Sequence, residues 1–497
     1  MNKKIKKKFL NLKVDLISQK KTNKITIITN RNSLDPILRV IWCASIFNNF
    51  KNNNIVLFTS KNLSFFNKIF SNFGIKKFEY IKTFEIIFKN FLKSTYYLII
   101  SIFYYLYYSC IGIDHFIKSF NVNHIKIGQN IHETYLKKYK FYNSNKKYLP
   151  IFYFKYILSS YVLINYIENF FLTNTVENLI INKKEYFAID ALLFLIAKKY
   201  KVRTIILNHE KILLKKNISF NEVFYTLKKK DLRKKINEKK IDKFINLKFK
   251  GLTDIDSQNA FSKKKILNTK ILNSLIDKKR KKIILFCPHA FSDSPSAGGE
   301  FLFRDFYEFY EKSIDEMCKI KDTTWLVKLH PTRFMYGENG IGEKYLRNKK
   351  HENIILIPDQ FSTSSIVKIV DGVVTARGTI IPEAAFLGKK TLAYQNTRFK
   401  NSNIYVKYYN KEDYYKKLRF KNINLKISKS DKKLAKKLMY IIHEKIFLSS
   451  DSLLLDQRGK NNKQLDIIYG KIYKKLKKGK QEIQNSQYYK KLYNKFV

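Results

Sequence analysis

Cysteine is scarce in this chain and none of it is clustered. Cys43, Cys110, Cys287 and Cys318 are scattered over 497 residues with no CxxC pair. That spacing excludes a disulfide framework and a cysteine zinc site, and fits a reducing cytoplasm. Only 7 prolines and 15 glycines are present, which excludes collagen-like repeats and argues against low-complexity linkers. No repeat of solenoid period occurs. No apolar stretch with a cleavage site follows the basic residues 1–8, so no secretory signal is expected. Acidic residues are few: 40 Asp and Glu against 97 Lys and Arg, a formal charge of +57. Arginine is rare beside lysine, although a chain shaped to fork onto phosphates favours arginine. Lys, Asn, Ile, Phe and Tyr are raised together, as A/T-rich codons would raise them. The remaining excess still makes a surface that attracts anionic headgroups and phosphorylated substrates, less so at high salt. With no zinc knuckle and no base-reading motif, nucleic acid is not an expected partner.

The hydrophobic content of 45% is enough for real cores, and the length suits two domains. Residues 94–113 (STYYLIISIFYYLYYSCIGI) are long enough to span a bilayer, but they carry six tyrosines and several serines, which belong at interfaces rather than in hydrocarbon. Residues 151–172 are interrupted by Lys155, Asn165, Glu168 and Asn169. Both stretches read as buried or membrane-facing helices of a soluble domain.

Short β-branched runs alternate with amphipathic segments, the mark of parallel sheets flanked by helices. In the first part, strands are predicted at 24–30, 54–59, 77–80, 124–127, 177–181 and 202–207, with helices among them at 36–50, 65–73, 130–139 and 184–200. In the second, strands are predicted at 282–287, 324–329, 353–357, 372–375 and 390–394, with helices at 299–319, 342–349, 363–370 and 379–387. The expected fold is α/β, with two Rossmann-like domains. The expected division is 1–216, a connection over 217–280, 281–427, and a basic helical tail over 428–497.

Ligands of open parallel sheets bind outside the carboxyl ends of the strands, and four groups of residues fall there in the second domain. Arg377, Gly378 and Thr379 follow a predicted strand and open a helix that carries Glu383. Exposed amides at such a start attract an anion, glycine lets it approach, and Glu383 suits a ribose diol. Taken alone, the same residues make an ordinary turn, cap and solvated acid. Ser364 and Ser365 lie at a second hydroxyl-rich helix start, which also reads as a plain N-cap. His330 and Pro331 close the strand at 324–329, placing an imidazole where it can donate to a phosphate. The loop 288–299 (PHAFSDSPSAGG) brings His289, Asp293 and two glycines to the same edge, or is simply a solvated turn region. The convergence of all four favours a nucleotide site.

The segments KLHP (328–331), STSSI (362–366), ARGTIIPEAAFLGKKTLAY (376–394) and FSDSP (291–295) resemble bacterial capsule polysaccharide biosynthesis proteins, surface-carbohydrate glycosyltransferases. KIGQNIHETYLKK (126–138) and EYFAIDALLFLIAKKYKVRTI (185–205) resemble the same family. The resemblance implies the GT-B architecture, two Rossmann-like domains facing a cleft, related to transferases that use CMP-activated Kdo and sialic acid. It implies donor binding by His330, Ser364, Ser365, Gly378, Thr379 and Glu383. Two departures stand out: Glu133 replaces the family's usual Asp, and Arg377 stands where a small residue is commoner.

The chemistry implied is transfer of a sugar, from a CMP-sugar for preference, to a growing surface polysaccharide or lipid-linked acceptor. Glu133 is the first candidate for the base that takes the acceptor proton, with His132 and Asp293 behind it; Glu133 and His132 also read as a solvated helix face. Helix starts, His330 and Arg377 would meet the leaving-group charge. No DxD-like run stands at a strand end, so a metal-independent enzyme without a cofactor is expected, in the cytoplasm or peripheral at the inner face of the plasma membrane. A sugar-nucleotide epimerase of the same fold, and a non-enzymatic basic protein of membrane surfaces or nucleic acid, are the alternatives.

Overall fold

The computed structural model describes residues 3–29, 34–59, 64–81, 83–89, 91–142, 148–182, 184–208, 211–215, 227, 233, 235–253, 255–274, 282–349, 351–446, 462–486, 489–490 and 493–494. The chain divides into two compact units. The first comprises residues 1–132, 145–219 and 445–497; the second comprises 133–144 and 220–444. The boundary falls inside the helix Gly128–Tyr139.

The first unit is built on strands β1 (Lys24–Thr29), β2 (Asn54–Thr59), β3 (Lys77–Tyr80), β6 (Thr175–Ile181), β7 (Arg203–Asn208) and β8 (Lys211–Lys215), with a small antiparallel pair, β4 (Asn121–Val122) and β5 (Ile125–Lys126). The main sheet runs β3-β2-β1-β6-β7-β8, parallel except for β8. Helices cover both faces of such a sheet, so the central strands read as nearly unbroken apolar runs; β1 and β2 each bury five of six residues. The tail expected over 428–497 divides. Ile468, Tyr469, Ile472, Leu476 and Ile483 join Phe9 and Trp42 in the core of the first unit, whereas Ala435, Leu438 and Met439 are buried in the second.

In the second unit, β9 (Lys282–Cys287), β10 (Thr323–Val327), β11 (Ile354–Leu356), β12 (Gly372–Thr375), β13 (Thr391–Tyr394) and β14 (Tyr405–Tyr408) form one sheet in the order β11-β10-β9-β12-β13-β14, parallel throughout. Alternate side chains of β9 serve different cores: Ile284 and Phe286 pack with Trp325 and Phe309, while Leu285 packs with Leu326 and Val367. The helix expected at 299–319 begins only at Phe306, because Asp305 caps it by accepting the Glu308 amide at 2.7 Å. Part of the connection expected over 217–280 is a helix, Glu238–Phe249, whose Ile241, Phe244 and Ile245 pack on Met439.

Candidate functional site

The chain leaves β9 for β10 on one side and returns to β12 on the other, so the order reverses between β9 and β12. Neighbouring loops diverge at such a point and leave a crevice at the carboxyl ends. The loop after β9 is tied down first. The buried Glu338 carboxylate accepts the amides of Phe291 (2.9 Å) and Ser292 (2.7 Å) and the Ser292 hydroxyl (2.6 Å). Burial raises its pKa, and those hydrogen bonds oppose the rise. Arg377, just beyond β12, reaches back into the same loop. Its Nη1 donates to the Pro295 and Gly299 carbonyls and its Nη2 to that of Glu300 at 3.0 Å, while the guanidinium lies 4.7 Å from the Phe301 ring. A Cβ on Gly298 would come within 2.1 Å of Nη1, so glycine is needed for this approach. Arg377 therefore turns both Nη atoms onto carbonyls, holding the loop rather than facing solvent, while its Nε is buried with no partner among the described residues.

Two histidines stand side by side in this frame. The rings of His289 and His330 are 5.5 Å apart and nearly parallel, and His289 also stacks on Phe306 at 4.2 Å. Burial pushes His289 down to about 4, helped by the Arg377 charge, and pushes His330 down to about 3, helped by His289. Both are neutral near pH 7 and can donate a hydrogen bond without carrying charge. The Thr332 amide points at His330 Nδ1 from 3.4 Å, so Nδ1 accepts and the proton sits on Nε2. His289 Nδ1 is buried and meets no hydrogen-bond partner among the described residues; Asp293 Oδ2 is 3.7 Å away. Because both native pKa values lie below the unfolded value near 6.5, acid protonates the unfolded chain first. Stability is thus complete above about pH 6.5 and falls as pH drops toward 4, by up to about 1.4 kcal/mol per pH unit for each histidine. Urea midpoints at pH 7 and pH 5 check this: His289→Phe should remove about half of the difference, leaving the His330 share, and an unchanged slope would refute it.

Gly378 has φ +134°, a conformation that side chains rarely adopt, and a Cβ there would meet nothing within 4 Å. The space before its Cα is open, as close approach of a ligand requires. Thr379 is exposed beside it, ahead of the helix Ile380–Phe386. The structure adds a residue that motif reasoning missed. Arg398 follows β13, at the same edge; burial lowers its pKa, and its charge also depresses His289. Its guanidinium makes no hydrogen bond or ion pair with any described residue.

The remaining candidates are placed differently. Pro331 is half-buried behind His330. Ser365 is committed to the fold: its hydroxyl accepts the Leu267 amide at 3.0 Å and donates to the Ser362 carbonyl at 2.8 Å. Ser364 is half-buried, with its hydroxyl 2.8 Å from that of Ser362. Glu383 pairs with Lys248 at 3.0 Å, both nearly sealed from solvent. Of the acid–base candidates, His132 is fully buried with its Nδ1 on the Tyr153 hydroxyl (2.9 Å). Glu133 is fully buried and accepts the Ser296 amide (2.9 Å). Asp293 alone among the three reaches solvent, with its side chain 31% exposed. Among the described residues no three His, Cys, Asp or Glu side chains gather as metal ligands would.

No family model matches this chain, and no curated protein does. Solved structures do. A UDP-GlcNAc 2-epimerase from Methanocaldococcus jannaschii, in complex with UDP-GlcNAc and UDP, is 13% identical over 84% of this chain and 99% of its own, with a TM-score of 0.26. KpsC from Thermosulfurimonas dismutans, a beta Kdo 2,4 transferase, is 12% identical over 53% of this chain and 79% of its own, with a TM-score of 0.30. The wall teichoic acid polymerase TagF is 10% identical over 97% and 93%, with a TM-score of 0.24. Likeness at this level says nothing about chemistry, which rests on the residues themselves.

Proposed function

We propose that the crossover edge of the second sheet binds a nucleotide-activated sugar, and that the chain transfers this sugar to a growing surface polysaccharide. One observation carries the reading: the half-buried guanidinium of Arg398 pairs with no described residue, its charge acts on His289, and it follows a strand end of the same sheet edge as His330 and the open Cα of Gly378. Burying a cation unpaired is costly and is tolerated where a ligand completes it. A phosphate supplies that charge, with the His330 Nε2–H and the amides at Gly378 and Thr379 as further donors. A CMP-sugar is favoured because it carries one phosphate, and of the two arginines here Arg377 is spent on carbonyls while Arg398 is not. In the transfer, the acceptor oxygen bonds to the anomeric carbon, the bond from that carbon to the phosphate oxygen breaks, and Asp293, the solvent-reached acid, takes the acceptor proton.

A melting series with CMP, CDP, UDP and GDP tests the reading. Ligand at about 100 times its Kd adds about 2.7 kcal/mol, or roughly 5–11 °C for a unit of this size. One nucleotide should raise the melting temperature and the others should not; no shift with any would overturn the proposal. Incubation of a nucleotide sugar without acceptor then separates transfer from epimerisation, since only an epimerase would convert it.

A further inference from the structure

The helix Phe91–Ile111 is turned inside out. Its 21 residues extend roughly 31 Å at 1.5 Å each. The side against the rest of the first unit is tyrosine and serine. Tyr97 and Tyr104 stack on Tyr161 at 6.0 and 6.2 Å. The Tyr105 hydroxyl donates to the Leu149 carbonyl at 2.7 Å, and the Tyr108 hydroxyl meets that of Ser119 at 3.1 Å. The opposite side carries the more apolar residues and leaves them bare: Leu92 is 86% exposed, Ile99 and Phe103 63% each, and Leu106 57%, with Tyr96 among them. These positions recur at three- and four-residue steps and form one stripe. A helix at a water boundary places its residues the other way round, and a continuous bare stripe of this length marks a surface with a partner.

We infer that this stripe docks on an anionic lipid surface, lying in the headgroup–acyl boundary. Among the described residues no helix is long and apolar enough to cross a membrane, so the stripe lies on a bilayer rather than through it. Its mixture of Leu, Ile and Phe with tyrosine is what that boundary selects. Charge chooses between lipid and a second copy of the chain. Lys93 on the helix, Lys118 on the next helix and Lys155 on the packed helix Ile151–Thr173 are all exposed, and the whole chain carries +57. Anionic headgroups attract such a surface, whereas a second copy repels it. The inference is independent of the donor site, which lies in the second unit.

Co-sedimentation of the full chain with vesicles tests it, comparing phosphatidylcholine alone with phosphatidylcholine containing phosphatidylglycerol. The wild-type chain should pellet with the anionic vesicles, and less so as salt rises. Ile99→Glu/Phe103→Glu should weaken this at least about tenfold with an unchanged melting temperature, because neither side chain supports the core. Lys93→Ala/Lys118→Ala/Lys155→Ala should reduce it by a smaller factor and remove part of its salt dependence. The inference falls if the glutamate variant pellets like wild type, or if the wild type ignores vesicles and instead forms a dimer that the same variant dissociates.

Discussion

Glu383→Ala should lower the stability of the second unit by about 3–5 kcal/mol, the largest effect expected of any single substitution here. The carboxylate pairs with Lys248 at 3.0 Å, and the two side chains are 8% and 9% exposed. Removing one partner strands the other charge where water cannot reach it, and that uncompensated desolvation, more than the pair's own attraction, sets the size of the loss. The pair also joins separate pieces of chain. Lys248 stands on the helix Glu238–Phe249 and Glu383 on Ile380–Phe386, with the rings of Phe249 and Phe386 stacked 5.4 Å apart beside them. Replacing both partners by apolar residues of similar volume, Lys248→Met with Glu383→Leu, should recover most of the loss. Urea unfolding of Glu383→Ala measures the loss, and Lys248→Met, Glu383→Leu and the double variant beside wild type close a double-mutant cycle. A Glu383→Ala chain that unfolds like wild type but no longer takes up nucleotide would assign the carboxylate to the ligand's ribose instead.

Strands such as KIILFC and GVVT declare themselves, because a sheet covered on both faces demands unbroken apolar runs, and the ends of those strands then locate His289 and Gly378 without a structure. β14 is less legible, since YVKY exposes two of its four residues in part and follows a polar stretch. The role of Glu383 was hidden for another reason: first-turn acids are common, and the lysine that neutralises this one arrives from the distant segment 235–253, where lysines are too frequent for any to stand out. Ser365 looks like an anion ligand in sequence and is a brace in the structure, because its Leu267 partner lies far along the chain. The aromatic helix shows a further limit. The tyrosine load of Phe91–Ile111 marks a buried or membrane-facing helix without saying which side packs, and only packing reveals that Tyr97, Tyr104, Tyr105 and Tyr108 face the protein. The one overlooked sequence clue was Arg398. In a chain that uses lysine almost everywhere, an arginine just past a strand's carboxyl end is informative, because its planar fork suits phosphate in a way the lysine point charge does not.

Arg398→Ala should accordingly separate binding from stability. A hydrogen bond to a charged group contributes about 1.5–3 kcal/mol, so losing this guanidinium should raise the nucleotide Kd about 10- to 150-fold. The same substitution should leave the melting temperature unchanged or raise it, because the guanidinium braces no described residue and the free protein no longer carries the cost of partly desolvating it. A purely structural arginine behaves oppositely: Arg377→Ala should destabilise, since it removes the staple that holds the carbonyls of Pro295, Gly299 and Glu300. Arg398→Lys should restore only part of the affinity, keeping the charge and losing the fork. Gly378→Val supplies the steric counterpart: a branched side chain at φ +134° is strained and fills the space before the Cα, so affinity should fall together with stability. Isothermal titration with the nucleotide that raises the melting temperature reads the affinities, and thermal melts of the same four variants read the stabilities. If Arg398→Ala binds as tightly as wild type, the edge of the second sheet is not a phosphate site, and the transfer chemistry assigned to it goes with it.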